Sequence, residues 1–142
     1  MPIVDASVVV DWVTPDSDPA GPARRLLTRL AEHDARIAAP RLMVQEVSNA
    51  LLTGVRRRRW DGAAADQAFE RLRLLPVDLD DTPADLDRAW ELSRRYDEHP
   101  VYDMLYVALA ERLGDRLITA DLRLSAKLAA RGSVHALEED HG

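Results

Sequence analysis

The chain has 142 residues, 46% hydrophobic and 31% charged, with no cysteine and a formal net charge of −6. That length and apolar fraction suit one folded domain spanning residues 1–142, and the missing cysteines exclude disulfides, thiolate nucleophiles and Cys-ligated zinc or iron–sulfur centres. The acidic balance, pI ≈ 5.2, is not that of a general nucleic-acid binder. Asp5 and Asp11 interrupt the most apolar stretch, so neither a membrane span nor a secretory leader is expected, which fits a cytoplasmic protein.

In chain order, Ile3-Val4 predicts a brief strand ending at Asp5. Ser7 is positioned to cap a short helix through about Trp12, broken by the turn-rich stretch from Thr14 to Pro22. A helix follows from Pro22 to His33 with Ala23, Leu26, Leu27 and Leu30 on one face, and Arg36 to Ala39 reads as a strand closed by Pro40. Helical spacing of Leu42, Met43, Val47, Ala50 and Leu51 runs from Arg41 to Arg57, with Gly54 tolerated at about 1 kcal/mol relative to Ala. Asp61 caps a helix carrying Ala64, Ala68, Phe69, Leu72 and Leu75. Pro76 to Leu79 is a third strand. Thr82 and Pro83 open a helix whose apolar side is Leu86, Ala89, Trp90 and Leu92. Val101 to Leu113 is the next helix, stopped by Gly114; strand Leu117 to Thr119, helix Asp121 to Arg131 and strand Val134 to Leu137 complete the chain. Short strands alternating with helices predict an α/β fold with a mostly parallel sheet of about five strands between helices.

Ligands of such sheets bind beyond the carboxyl ends of strands, near a switch point in topology. Asp5 and Asp121 both fall at strand ends, although either could simply cap a helix. Asp103 is the one charge in ten residues from Val101 to Ala110, where every helical face is apolar. It either complements the helix dipole in a first turn or needs a partner inside the core. Glu46 shares a helix side with Leu42, Met43, Asn49 and Ala50, a mixed face that also suits an ordinary, partly exposed glutamate. Brought together, four carboxylates would repel by roughly 4 kcal/mol per pair at 4 Å. Protons or a cation must then compensate. All-oxygen ligands, with no Cys and no suitably spaced His, favour Mg²⁺ or Mn²⁺, and such an ion supplies an activated water for phosphate-ester hydrolysis.

Four segments resemble, in order and spacing, the PIN-domain ribonucleases, and specifically the VapC-type toxins of bacterial toxin–antitoxin pairs. They are Ile3-Val4-Asp5-Ala6-Ser7, Glu46-Val47-Ser48-Asn49-Ala50-Leu51, Tyr102 to Ala110, and Leu117-Ile118-Thr119-Ala120-Asp121. The resemblance covers essentially the whole chain. It implies a PIN-like fold and Mg²⁺- or Mn²⁺-dependent cleavage of RNA, leaving a 5′-phosphate and a 3′-hydroxyl. Asp5, Glu46, Asp103 and Asp121 carry over as the acidic, metal-binding set. Asp5 and Asp103 would be direct ligands, Glu46 a ligand or the group that activates water, and Asp121 a group acting through water or on a second ion. Ser7, Asn49 and Thr119 would support them, although Ser7 also suits a helix cap and Thr119 a strand. A small antitoxin and a homodimer are the implied partners.

Two other readings compete. A dehalogenase-like hydrolase or a receiver domain also places an Asp after the first strand. The former wants a second acid where Ser7 stands, and both want a lysine after a later strand; the sole lysine, Lys127, lies down a predicted helix. A PIN-like module that only binds RNA or protein is the other, against which the presence of all four acids argues. Arg56, Arg57, Arg58 and Arg59 form the chain's densest cationic run, suited either to a phosphate or acidic-partner contact or to a solvated helix end.

Overall fold

A computed structural model describes residues 1–137. Its five strands are β1 (Ile3–Val4), β2 (Ile37–Ala39), β3 (Val77–Leu79), β4 (Leu117–Thr119) and β5 (Val134–Ala136). They pair in the order β3-β2-β1-β4-β5, every pair parallel. β1 lies at the centre, with Ile3 in register with Ala38 on one side and Leu117 on the other. The three central strands are entirely buried, which is why they are apolar rather than alternating, Thr119 at the end of β4 excepted. Edge strand β3 is only half-buried, and its Asp78 pairs with Arg36 in solvent.

The helices are α1 (Ala6–Val13), α2 (Pro22–Glu32), α3 (Leu42–Arg56), α4 (Gly62–Leu74), α5 (Pro83–Arg95), α6 (Val101–Leu113) and α7 (Leu122–Lys127), followed by a 3₁₀ turn at Ala129–Arg131. α1 packs on α2, α3 and α4, while α5 and α6 form the most intimate helix pair. After β1 the chain builds outward through β2 and β3, then crosses back to lay β4 on the other flank of β1. The order therefore reverses between β1 and β4, and a cleft is expected beyond the ends of those two strands. Among the described residues, no helix is long and apolar enough to cross a membrane.

The α/β class and the five parallel strands agree with the sequence reading; four local expectations do not. The N-cap of α1 is Asp5 rather than Ser7, and the Ser7 hydroxyl turns back to the Asp5 carboxylate. The expected helix from Asp121 to Arg131 is two pieces, because the chain tightens at Leu128 into the 3₁₀ turn. On α5, Leu86 and Trp90 are 53% and 65% exposed, whereas Asp85, Ala89, Leu92 and Ser93 face inward. The ion pair between Asp85 and Arg112 of α6 sets that orientation against the apolar pattern.

Gly54 is required rather than tolerated. A Cβ there would stand 2.0 Å from the Trp60 ring, whose Nε1–H donates to the Leu51 carbonyl at 3.0 Å. Gly54→Ala gains helix propensity but undocks the indole, for a net loss of about 1 kcal/mol in urea unfolding. With Trp60→Ala already in place, the same change is expected to stabilise. Destabilisation of equal size in both backgrounds would contradict this packing.

Candidate active site

At the switch point between β1 and β4, Asp5 meets Ser7 and Thr119. Asp5 follows β1 directly and is 94% removed from solvent, since only 6% of its surface is exposed. Its two carboxylate oxygens accept hydrogen bonds from the hydroxyls of Ser7 and Thr119. Those hydroxyls are themselves placed by backbone: Ala120 N–H donates to Ser7 Oγ at 3.0 Å and Asp121 N–H to Thr119 Oγ1 at 2.9 Å. Parallel pairing of β1 with β4 thus converts two strand ends into one hydroxyl-lined cradle around a carboxylate.

Burial raises the Asp5 carboxyl to about 6; the Ser7 and Thr119 hydroxyls and the Val8 backbone pull it down, and the charge of Asp103 pushes it further up. Glu46, on α3, is also raised, first by burial and then by Asp103, against a hydrogen bond from the Tyr106 hydroxyl at 2.6 Å. Tyr106 lies inside the protein on α6, and burial together with Glu46 and Asp5 pushes its hydroxyl up, so it remains a donor. Asp5 and Glu46 therefore both feel the charge of Asp103.

Asp103, in the first turn of α6, is half-exposed. Its Oδ2 bonds His99 Nε2 at 2.6 Å, and His99 Nδ1 meets the Lys127 ammonium at 3.0 Å. Asp121 is engaged differently: its Oδ1 accepts from the N–H groups of Arg123 and Leu124 and caps α7. It joins the others through its backbone bond to Thr119, not through its carboxylate. Asn49 sits one turn along α3 from Glu46 and is exposed.

Each carboxylate thus has its own compensating partner. Among the described residues no three acidic or imidazole groups form a ready metal cage. The donor chemistry nevertheless fits a hard cation: carboxylate oxygens on Asp5 and Glu46 with hydroxyl partners, and Asp103 adding negative charge felt by both. An ion would offset the cost of ionising the buried Asp5 carboxyl.

Sequence reasoning missed three of these groups. His99 stands four residues before Asp103, a spacing that was available to read. Tyr106 carries the one hydroxyl on a wholly buried face of α6. Lys127 gave no local signal, because its partner is 28 positions away.

The cationic run lies elsewhere. Arg56 ends α3, ten residues beyond Glu46, or about 15 Å along the helix axis. Arg59 pairs with Asp16 at 2.9 Å and covers the Trp60 ring, whereas Arg57 and Arg58 are exposed.

Comparison with known proteins agrees with this architecture. The family model described as PIN domain matches residues 3–128. Ribonuclease VapC3 of Mycobacterium tuberculosis is 38% identical over 135 residues, 95% of this chain and 90% of that protein. Ribonuclease VapC9 of the same organism is 35% identical over 125 residues, covering 88% and 89% of the two chains. The crystal structure of PAE2754 from Pyrobaculum aerophilum superposes with a TM-score of 0.68 at 26% identity, covering 96% of this chain and 89% of that one.

Proposed function

The chain belongs to the PIN-domain family, and from that premise we propose that it is a Mg²⁺- or Mn²⁺-dependent endoribonuclease acting in the cytoplasm as the toxin of a toxin–antitoxin pair. The observation that carries the reading is similarity with proteins named ribonucleases over nearly the whole chain, joined to the charge of Asp103 acting on both Asp5 and Glu46. A small antitoxin protein, a homodimeric assembly and an RNA substrate belong to the same proposal.

Asp5 and Asp103 would hold the ion, with Glu46 beside it as a ligand or as the group that activates water, and Asp121 acting through water or on a second ion. When bound, the ion would lower the pKa of a coordinated water and neutralise charge developing on a phosphodiester. The chain's own groups do the rest. Ser7 and Thr119 orient the Asp5 carboxylate, and Tyr106 fixes one oxygen of Glu46, so that the other is available to take a proton from water. Deep placement of Asp5 excludes bulk water and keeps its charge unscreened.

Cleavage of a mixed RNA pool is expected with Mg²⁺ or Mn²⁺ and to stop on chelation, leaving 5′-phosphate ends. Equal cleavage in chelator would end the metal-dependent reading. Toxicity on expression, relieved by co-expressing the product of a short adjoining reading frame, tests the biological role.

Arg56, Arg57, Arg58 and Arg59 contribute phosphate contacts in this reading, four or five nucleotides from the point of cleavage at about 3.4 Å per nucleotide. Replacing all four with Ala should weaken RNA binding and reduce its salt slope by two to three phosphate contacts, roughly, because Arg59 is already committed to Asp16. An unchanged slope would make the cluster a solvated helix end.

A further inference from the structure

We propose that Lys127, acting through His99, is a positioning residue that orients the Asp103 carboxylate for metal binding; this rests on reading Asp103 as a ligand. An ammonium has only protons to give, so where Lys127 Nζ lies 3.0 Å from His99 Nδ1, that ring nitrogen accepts. The ring proton is then on Nε2, which donates to Asp103 Oδ2 at 2.6 Å. One carboxylate oxygen is thereby committed and the other is left for the pocket shared with Asp5 and Glu46. Partners of this kind commonly orient ligating carboxylates and imidazoles.

The backbone around His99 is built for the contact. Asp97 and Glu98 both adopt left-handed conformations, φ 57° and 54°, which Asp tolerates and Glu does not favour. Pro100, the N-cap of α6, then disfavours helical geometry at His99. The His99 side chain is only 12% exposed, so the ring has little freedom to leave. Lys127 comes from the end of α7, on the far side of β4 in sequence, and is the chain's one lysine.

The sign of the effect separates this role from simple electrostatics. Removing a nearby cation should strengthen divalent binding if charge alone matters. Loss of orientation should weaken it. For Lys127→Met we expect manganese affinity, measured by calorimetry, to fall about tenfold. Long-range nitrogen–proton spectra of the metal-free protein, with His99 assigned from His99→Asn, should show its Nε2–H form giving way to a tautomer mixture. Lys127→Arg, which still donates, should restore both readings, and Lys127→Met should add nothing to His99→Ala. Unchanged tautomer and affinity, or tighter manganese binding, would overturn the proposal. Should the wild-type protein take up no manganese, the metal-dependent reading fails by itself; the tautomer of His99 in wild type and Lys127→Met then decides the relay.

Discussion

Asp5→Asn is expected to abolish metal-dependent RNA cleavage, by roughly 10²-fold or more, and at the same time to stabilise the metal-free fold. Burial raises the Asp5 carboxyl from 3.8 to about 6, so the native state holds this proton over a range where the unfolded chain has lost it. Between those values the folded protein binds more protons, and stability falls as pH rises. Two units correspond to about 3 kcal/mol, fully present above about pH 6.5. Asparagine cannot ionise, and its amide meets the same Ser7 and Thr119 hydroxyls, each of which can accept as well as donate. Allowing for imperfect replacement, a gain of roughly 1–3 kcal/mol is expected at about pH 7.5, worth about 2–4 °C per kcal/mol in a chain of this size. The advantage should vanish below about pH 4, where Asp5 of the wild type is protonated in the folded and unfolded states alike. Added Mn²⁺ should raise the melting temperature of wild type and not of the variant. Retained cleavage, or a variant destabilised equally at every pH, would remove Asp5 from the role assigned here.

How much of this was legible in the sequence follows from the range of each interaction. Parallel strands in the centre of a covered sheet have no polar face to keep, so Ile3-Val4, Ile37-Ala38-Ala39 and Leu117-Ile118-Thr119 show themselves as apolar runs between helical patterns. Asp5 and Asp103 stand out because each interrupts such a background. Their partners are a different matter. Tyr106 reaches Glu46 across 60 positions, Thr119 reaches Asp5 across 114, and nothing local in either segment encodes the meeting. Asp121 shows the opposite limit: helix capping, a wholly local interaction, accounts for its carboxylate bonds. The orientation of α5 was unreadable because Leu86 and Trp90 imitate a core face while a long-range ion pair turns Asp85 inward.

That ion pair gives the largest expected loss of stability away from the site. Asp85 is 4% exposed, accepts from Arg112 Nε at 2.9 Å and Nη2 at 3.0 Å, and accepts from the Thr82 N–H at 3.0 Å at the start of α5. Burial alone would push its carboxyl up, but Arg112 and the Thr82 backbone outweigh it and hold Asp85 below its ordinary value. Stability from this group is therefore present above about pH 4 and is lost as pH falls through the lower native value. Asp85→Ala removes a first-turn cap worth about 1 kcal/mol and strands one side of Arg112. Arg112 keeps Asp80 at 2.9 Å and is one-third exposed, so the lost pair contributes about 1–2 kcal/mol rather than the full cost of an orphaned buried charge. A total of about 2–3 kcal/mol is expected in urea unfolding at neutral pH, shrinking in acid. Asp85→Asn, which keeps an acceptor for Thr82, should lose about half as much. Arg112 lies nine residues beyond Asp103 on α6, about 13 Å along the axis, so cleavage measured well below the unfolding midpoint should be unaffected. A variant as stable as wild type would show that α5 is held on α6 by apolar packing alone, with the ion pair a consequence of the fold rather than one of its supports.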